Sequence, residues 1–374
     1  MKKPKVCFIT PFFYPVIGGV ETHILETSKE LIKKGYEVSV ITSNSDRKGS
    51  IKLEDETYQG VKVIRCKTWF RIGFGEVFFP RAIKELKRIN PDIIHIHGFR
   101  HWYNLIPLFT KKPSFITPHW PDYEGQRPLP IEMLRKVMDL SISKILFKIN
   151  NKICIVTDSE KKWVESFGIN ESKIVLTPNA LPKEYFMPKK NSGFKKKYGV
   201  EKKIVVLSVS RIHKSKGIDQ LIEVAKITPN AHFVIIGKDG GDEKRLKKIV
   251  SKYKINNVVF GGTVSEKDKI AAYRGADIFC QPSHFEAFGI SILEAMSQGL
   301  PCIVSSKGGM PWVVDKTGLV FEDYNLHDLK SKLDRLISDK KLRDKLGKLS
   351  EHRARKFTWK KTADLLDKEY RKYL

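Results

Sequence analysis

Two cations and two carboxylates are spaced in this chain as chemistry would need them. Arg211 and Lys216 lie in the run Ser210 Arg211 Ile212 His213 Lys214 Ser215 Lys216 Gly217, directly after an apolar stretch. Such a pair suits a diphosphate, since a guanidinium binds two oxygens at once and an ammonium acts as a point charge. Glu286 and Glu294 flank Gly289 in the run HFEAFGISILEAM, where Gly289 opens a helix. The N–H groups of Phe288, Gly289 and Ile290 then have no partners inside that helix and can receive an anion, which Gly289 lets approach closely. On the pair alone, two surface acids flanking a helix is an equal reading of Glu286 and Glu294.

The elements that position these residues alternate strand with helix. Ala276 to Cys280 is predicted as a buried parallel strand, and Ile290 to Gln298 as a helix that stops at Gly299 Leu300 Pro301. The turn between them sits at a strand's carboxyl end, where open α/β sheets bind ligands. Ile204 to Val209 is a strand that delivers Arg211 and Lys216 in the same way. At the amino terminus, Lys5 to Thr10 is a strand and about Val20 to Lys34 a helix, joined through Gly18 Gly19. This is a Rossmann-like opening with a second helix-start anion site, and a plain tight turn is its competing reading. In the strand containing His95 and His97 both histidines point to one face, as packing residues or as site residues. His119 falls just past the carboxyl end of the strand Phe115 to Thr117.

Length and composition bound the rest. The chain has 374 residues, more than one core usually holds, so two domains are expected, with a boundary in the Lys-, Pro- and Gly-rich stretch near residue 190. No apolar run approaches the roughly 18 residues that span a membrane. The five cysteines, Cys7, Cys66, Cys154, Cys280 and Cys302, form no CxxC pair and read as buried, reduced hydrophobes of a cytoplasmic protein. The net charge of +27 is spread along both halves without an RNA motif or zinc-finger spacing, which turns the expectation from nucleic acid to an anionic substrate or membrane surface. Ile131 to Lys152 is predicted as one basic amphipathic helix, either an ordinary core helix or a peripheral contact with an anionic membrane on the inner face of the cell.

The setting EAFGISILEAMSQGLPCIVS, with Glu286, Phe288, Gly289 and Glu294, strongly resembles the signature of retaining glycosyltransferases of the GT-B fold, family 4. The first loop in PFFYPVIGGVETHILETSKELIKKGYEV, the Thr-x-His at His119 and the Arg211/Lys216 loop are similar to the same family in order along the chain. The resemblance implies an α/β protein of two Rossmann-like domains facing each other across a crevice. An acceptor domain would cover 1–190 and a nucleotide-sugar domain 191–356, and a C-terminal helix, 357–374, would cross back to the first. It also implies donor contacts from Gly18, Gly19, Arg211, Lys216, Val264, Glu286, Phe288, Gly289, Ile290 and Glu294, with catalytic roles for Glu286, His119, Arg211 and Lys216. Val264 would meet the nucleobase through its backbone. The chain departs from the family at Lys238 Asp239 Gly240 Gly241 Asp242, where a shorter glycine turn is usual, and at Trp312, where the family has Glu.

A hexose-type sugar would thus move from a nucleotide-sugar, UDP- or GDP-linked, to a glycan or lipid-linked acceptor, with no cofactor. Without an Asp-x-Asp after a strand, no metal is required, and two cations and a helix terminus stand in its place. Glu294 would hold ribose hydroxyls and Glu286 sugar hydroxyls, so that neither is a covalent nucleophile and the acceptor attacks from the front face. An epimerase or phosphorylase on a similar fold, and an idle carbohydrate, lipid or nucleic-acid binder, are the competing classes. Retention of Glu286, Arg211 and Lys216 together argues against an idle binder.

Overall fold

A computed structural model describes residues 3–374 except 47–48, 53, 73–75, 121–132, 134–135, 138 and 188–192. The chain folds as two compact units, Met1–Ala180 with Trp359–Leu374, and Leu181–Thr358.

In the first unit, strands that are apolar on both faces demand cover on both. Val6 and Phe8 face one side with Ile24 and Leu31 of the helix Gly19–Lys33 and with Ala363, Leu366 and Tyr370 of the C-terminal helix Trp359–Tyr370. Cys7 and Ile9 face the other, with Ile94, Ile96, Phe147 and Val164. The spatial order is Ile174–Leu176, Lys152–Ile155, Ser114–Thr117, Ile93–His97, Lys5–Ile9, Glu37–Ser43, Val61–Cys66, all parallel, then the antiparallel edge strand Glu56–Tyr58. The sheet order reverses beside Lys5–Ile9, so the loop leading to Gly18 and Gly19 leaves the sheet at its switch point.

The second unit has six parallel strands in the order Val258–Gly262, Ala231–Ile236, Ile204–Val209, Ile278–Gln281, Cys302–Ser305, Leu319–Phe321. Numbered along the chain this is 3-2-1-4-5-6, the Rossmann order, and its switch point lies between Ile204–Val209 and Ile278–Gln281. The loops after those two strands carry Arg211 with Lys216 and Glu286 with Gly289.

Three boundaries differ from the sequence expectation. The units part at Ala180/Leu181 instead of near 190, because Tyr185 is bonded through its hydroxyl to Glu294 and through its carbonyl to Gln298, which ties 181–187 to the second unit. The tail leaves at Trp359, since Phe357 packs on Phe288 and Trp312. The helix expected over Ile131 to Lys152 is described as a π-helical turn, Asp139–Ser143, and a short helix, Lys144–Lys148, and Lys152 already opens a strand. Asn150 ends that helix by bonding back to Leu146 O. Residues 131, 132, 134, 135 and 138 of the expected helix, and 188–192 of the expected linker, lie outside the described residues.

Candidate active site

Lys216 and Glu286 meet. Lys216 ends a 3-10 turn, Lys214–Lys216, and Gly217 follows with φ +60° to start the helix Ile218–Ala225. A Cβ at Gly217 would stand 2.0 Å from Pro282 O, so only glycine lets the two loops touch here. The Lys216 ammonium lies 2.6 Å from Glu286 Oε1, which also accepts from Ser283 Oγ at 3.2 Å. Among the described residues one of three ammonium protons is used, which leaves two for a ligand. Arg211 is exposed at the same strand end, with its stem against Gly240, where a Cβ would come within 2.8 Å of Arg211 Cγ. Ile212 exchanges backbone bonds with Lys238 and Gly240, so the long Lys238–Asp242 loop is a rest for Arg211.

The turn carrying Glu286 is fastened from three sides. His284 N donates to Ser215 O, and the His284 ring lies 3.0 Å from Asp323, whose carboxylate accepts from Gln220. Glu286 O accepts from Gly309 N, and a Cβ at Gly308 would fall 2.1 Å from that oxygen. Gln220, Asp323 and Gly308 carry no sequence signal, because they reach the turn only through neighbouring strands. Gly289, at φ +83°, opens the helix Ile290–Ser297, whose first N–H groups have no partners within the helix and carry its positive dipole end. Phe288 itself is buried against Trp312 and Phe357, so its side chain serves packing while its N–H stays at the helix start. Trp312 belongs to this aromatic cluster, with Arg353 over its ring and bonded to its carbonyl.

Glu294 is enclosed. It is 7% exposed, and Lys269 Nζ at 2.9 Å and Tyr273 Oη at 2.7 Å donate to its carboxylate, as does Tyr185 Oη at 2.9 Å, whose one proton is shared with Glu266. A ribose hydroxyl would have to use the lone pair that these three donors leave on Oε2. Val264 is half-buried, one residue before Ser265 caps the helix Glu266–Gly275.

In the first unit, Gly18 is the N-cap of Gly19–Lys33, and Gly19 is exposed. His119 follows Ser114–Thr117 at φ +57°, a left-handed conformation uncommon for a side-chain-bearing residue. The strain is held by Glu160, whose carboxylate accepts from Trp120 N and Val156 N. Burial pushes the Glu160 carboxyl up to about 8. His119 Nε2 lies 3.0 Å from His97 Nδ1, and His23 donates to Asn179 Oδ1 at 2.7 Å. His95 bonds Thr117 and the Tyr370 hydroxyl of the C-terminal helix. These four imidazoles form one packed cluster, and burial lowers every one of their pKa values, that of His23 to about 4. His23, one turn beyond Gly19, was not marked by any spacing in the sequence.

The family pattern "Glycosyltransferase Family 4" matches residues 17–185, and "Glycosyl transferases group 1" matches 190–353. The chain belongs to the group 1, family 4 glycosyltransferases. It is 25% identical over 385 residues to a sulfoquinovosyl transferase of Arabidopsis thaliana, covering 96% of this chain and 72% of that one. It is 28% identical over 343 residues to the gpi3 subunit of the phosphatidylinositol N-acetylglucosaminyltransferase of Schizosaccharomyces pombe, covering 88% of this chain and 72% of the relative. Among solved structures it is similar to a sucrose-phosphate synthase of Thermosynechococcus elongatus, with TM-score 0.81, 18% identity and 99% of each chain covered. It is also similar to an Anabaena protein, HepE, in complex with UDP and glucose, with TM-score 0.77, 15% identity and 98% and 99% covered. This glycosyltransferase therefore has the GT-B fold.

Proposed function

We propose that this glycosyltransferase moves a hexose-type sugar from a UDP- or GDP-sugar to a glycan or lipid-linked acceptor, with retention of the anomeric configuration and without a metal. The observation that carries the reading is the Lys216–Glu286 pair beside Arg211 and the helix start at Gly289, all at the switch point of the second sheet. Preorganised positive charge is usually the largest share of catalysis where a leaving group gains charge. Arg211, Lys216 and the N–H groups of Phe288, Gly289 and Ile290 would receive the donor diphosphate, with Glu286 on the sugar hydroxyls, Glu294 on the ribose and the backbone at Val264 on the base. From the first unit, Gly18, Gly19 and His119 would meet the diphosphate, sugar and acceptor. The anomeric carbon–oxygen bond to the diphosphate breaks while the acceptor oxygen bonds that carbon from the same face. The acceptor's proton passes to the departing phosphate oxygen.

A panel of nucleotide-sugars screened by thermal shift should single out the donor, because a bound ligand raises the melting temperature by mass action. NMR of the product then reads the anomeric centre, and an inverted product sinks the mechanism. We place the enzyme in the cytoplasm, a reading supported by its five buried, unpaired cysteines. Val137, Ile142 and Ile145, exposed by 61, 45 and 51% beside Lys144 and Lys148, support peripheral contact with an anionic membrane. Vesicle binding that fails to weaken as salt rises would count against that contact.

A further inference from the structure

The first unit holds a second basic site at the opposite end of its sheet. A cavity of about 420 Å³ is lined by Lys148, Asn150, Lys152, Ser172 and Lys173. Lys152 and Ile174 begin their strands there, whereas Gly18 and His119 follow the carboxyl ends of strands in the same parallel sheet. Three ammonium groups converge on this cavity with little to neutralise them. Lys173 Nζ donates to the carbonyls of Lys148 and Asn150, and Lys152 Nζ donates to Ser172 O, which leaves each lysine with a proton to give. The one facing carboxylate among the described residues is Glu369, 3.4 Å from Lys152 and shared with Lys372. Burial and the repulsion of Lys148 and Lys152 lower the pKa of Lys173.

An ammonium cluster without an anion is unbalanced. We infer that this cavity binds a phosphate ester, its phosphate held by Lys148, Lys152 and Lys173. The ligand's phosphate could be carried by a soluble metabolite or by a lipid headgroup, and both present the same groups.

The test uses the full chain as wild type, Lys148→Glu, Lys152→Gln and Lys216→Ala. Glycerol 1-phosphate is titrated by calorimetry, and vesicles of phosphatidylcholine with or without phosphatidylglycerol are sedimented. Lys148 is exposed, so its reversal should leave the fold intact. Loss of a charge-assisted bond and gain of a repelling charge should weaken binding about tenfold or more in Lys148→Glu, while the event persists in Lys216→Ala. A Lys148-dependent response to the soluble probe assigns the site to a metabolite and upholds it; a phosphatidylglycerol-vesicle response assigns it to lipid only where the Lys152→Gln variant, which takes no part in the proposed membrane contact, weakens it as well, and vesicle binding that Lys152→Gln leaves unchanged overturns the site. Binding indifferent to Lys148→Glu, binding abolished by Lys216→Ala, or no binding of either probe overturns it. Because donor transfer is read separately, failure here leaves the proposed transfer reaction standing.

Discussion

At the scale of single residues, Lys216 and Glu286 hold each other within 2.6 Å, so neither can be changed without altering the other's surroundings. Lys216→Ala removes a cation from the proposed diphosphate site and leaves Glu286 without its ion pair. We expect kcat/KM for transfer to fall by about 10²–10³, the usual effect of deleting one preorganised donor to developing charge. Glu286→Gln keeps the size and loses the charge; its kcat should fall more than its KM rises, because a sugar-positioning group acts on the reacting carbon. Steady-state kinetics of both variants would decide the assignment, and wild-type kcat/KM in Lys216→Ala would remove Lys216 from the reaction. Glu294 behaves differently at this scale, since two tyrosines and Lys269 already fill most of its carboxylate.

At the scale of elements, the site depends on how loops approach one another at strand ends. Gly308, at φ +68°, lets the loop after Cys302–Ser305 pass within van der Waals reach of Glu286 O. Gly308→Ala would place a methyl 2.1 Å from that backbone oxygen, so the turn must move. We expect a loss of about 1–3 kcal/mol in stability and a drop in transfer rate at least as large as that of Glu286→Gln, read by denaturant unfolding and kinetics together. An Ala variant with full activity would show that the turn does not need this register. Trp312 is explained at the same scale. It closes the aromatic cluster of Phe288 and Phe357 and braces the helix start from behind.

At the scale of the whole molecule, two buried titrating features pull stability in opposite directions with pH. His23, His95, His97 and His119 are held neutral, so below about 6.5 the unfolded chain binds protons that the folded chain refuses. Their contribution is present above pH 6.5 and is lost as pH falls through the folded values. For His23, with a folded pKa of about 4, this is on the order of 3 kcal/mol. Glu160, raised to about 8, acts the other way: the folded chain keeps its proton between about 4.5 and 8 while the unfolded chain releases it, so stability falls as pH rises across that window. Four histidines outweigh one glutamate below pH 6.5, and Glu160 alone of these groups acts above it. The melting temperature should therefore peak near pH 6.5. Glu160→Gln should flatten the fall between pH 6.5 and 8, and an unchanged slope there would refute the Glu160 assignment.

The alternation of apolar strands with helices, the glycines before Gly19–Lys33 and Ile290–Ser297, and the Arg211/Lys216 spacing could be read from the sequence because each is local. A strand's period, a helix start and a strand-end loop need only neighbouring residues. The division at Ala180/Leu181, by contrast, rests on a distant contact, since Tyr185 joins the second unit through Glu294, 109 residues away. Likewise the helix expected through Lys152 stops at Lys148, because Asn150 turns its side chain back onto Leu146 O. By itself the sequence determined that two parallel-sheet units would carry cationic and glycine loops at strand ends. Only the tertiary structure decided which loops meet. Lys216 and Glu286 are 70 residues apart and become neighbours because Ile204–Val209 and Ile278–Gln281 pair at the switch point. His95, His97 and the loop carrying His119 meet because Ile93–His97 and Ser114–Thr117 pair, with His23 added from the helix Gly19–Lys33, and Lys152 and Lys173 meet because Lys152–Ile155 and Ile174–Leu176 pair; no local pattern encodes these pairings.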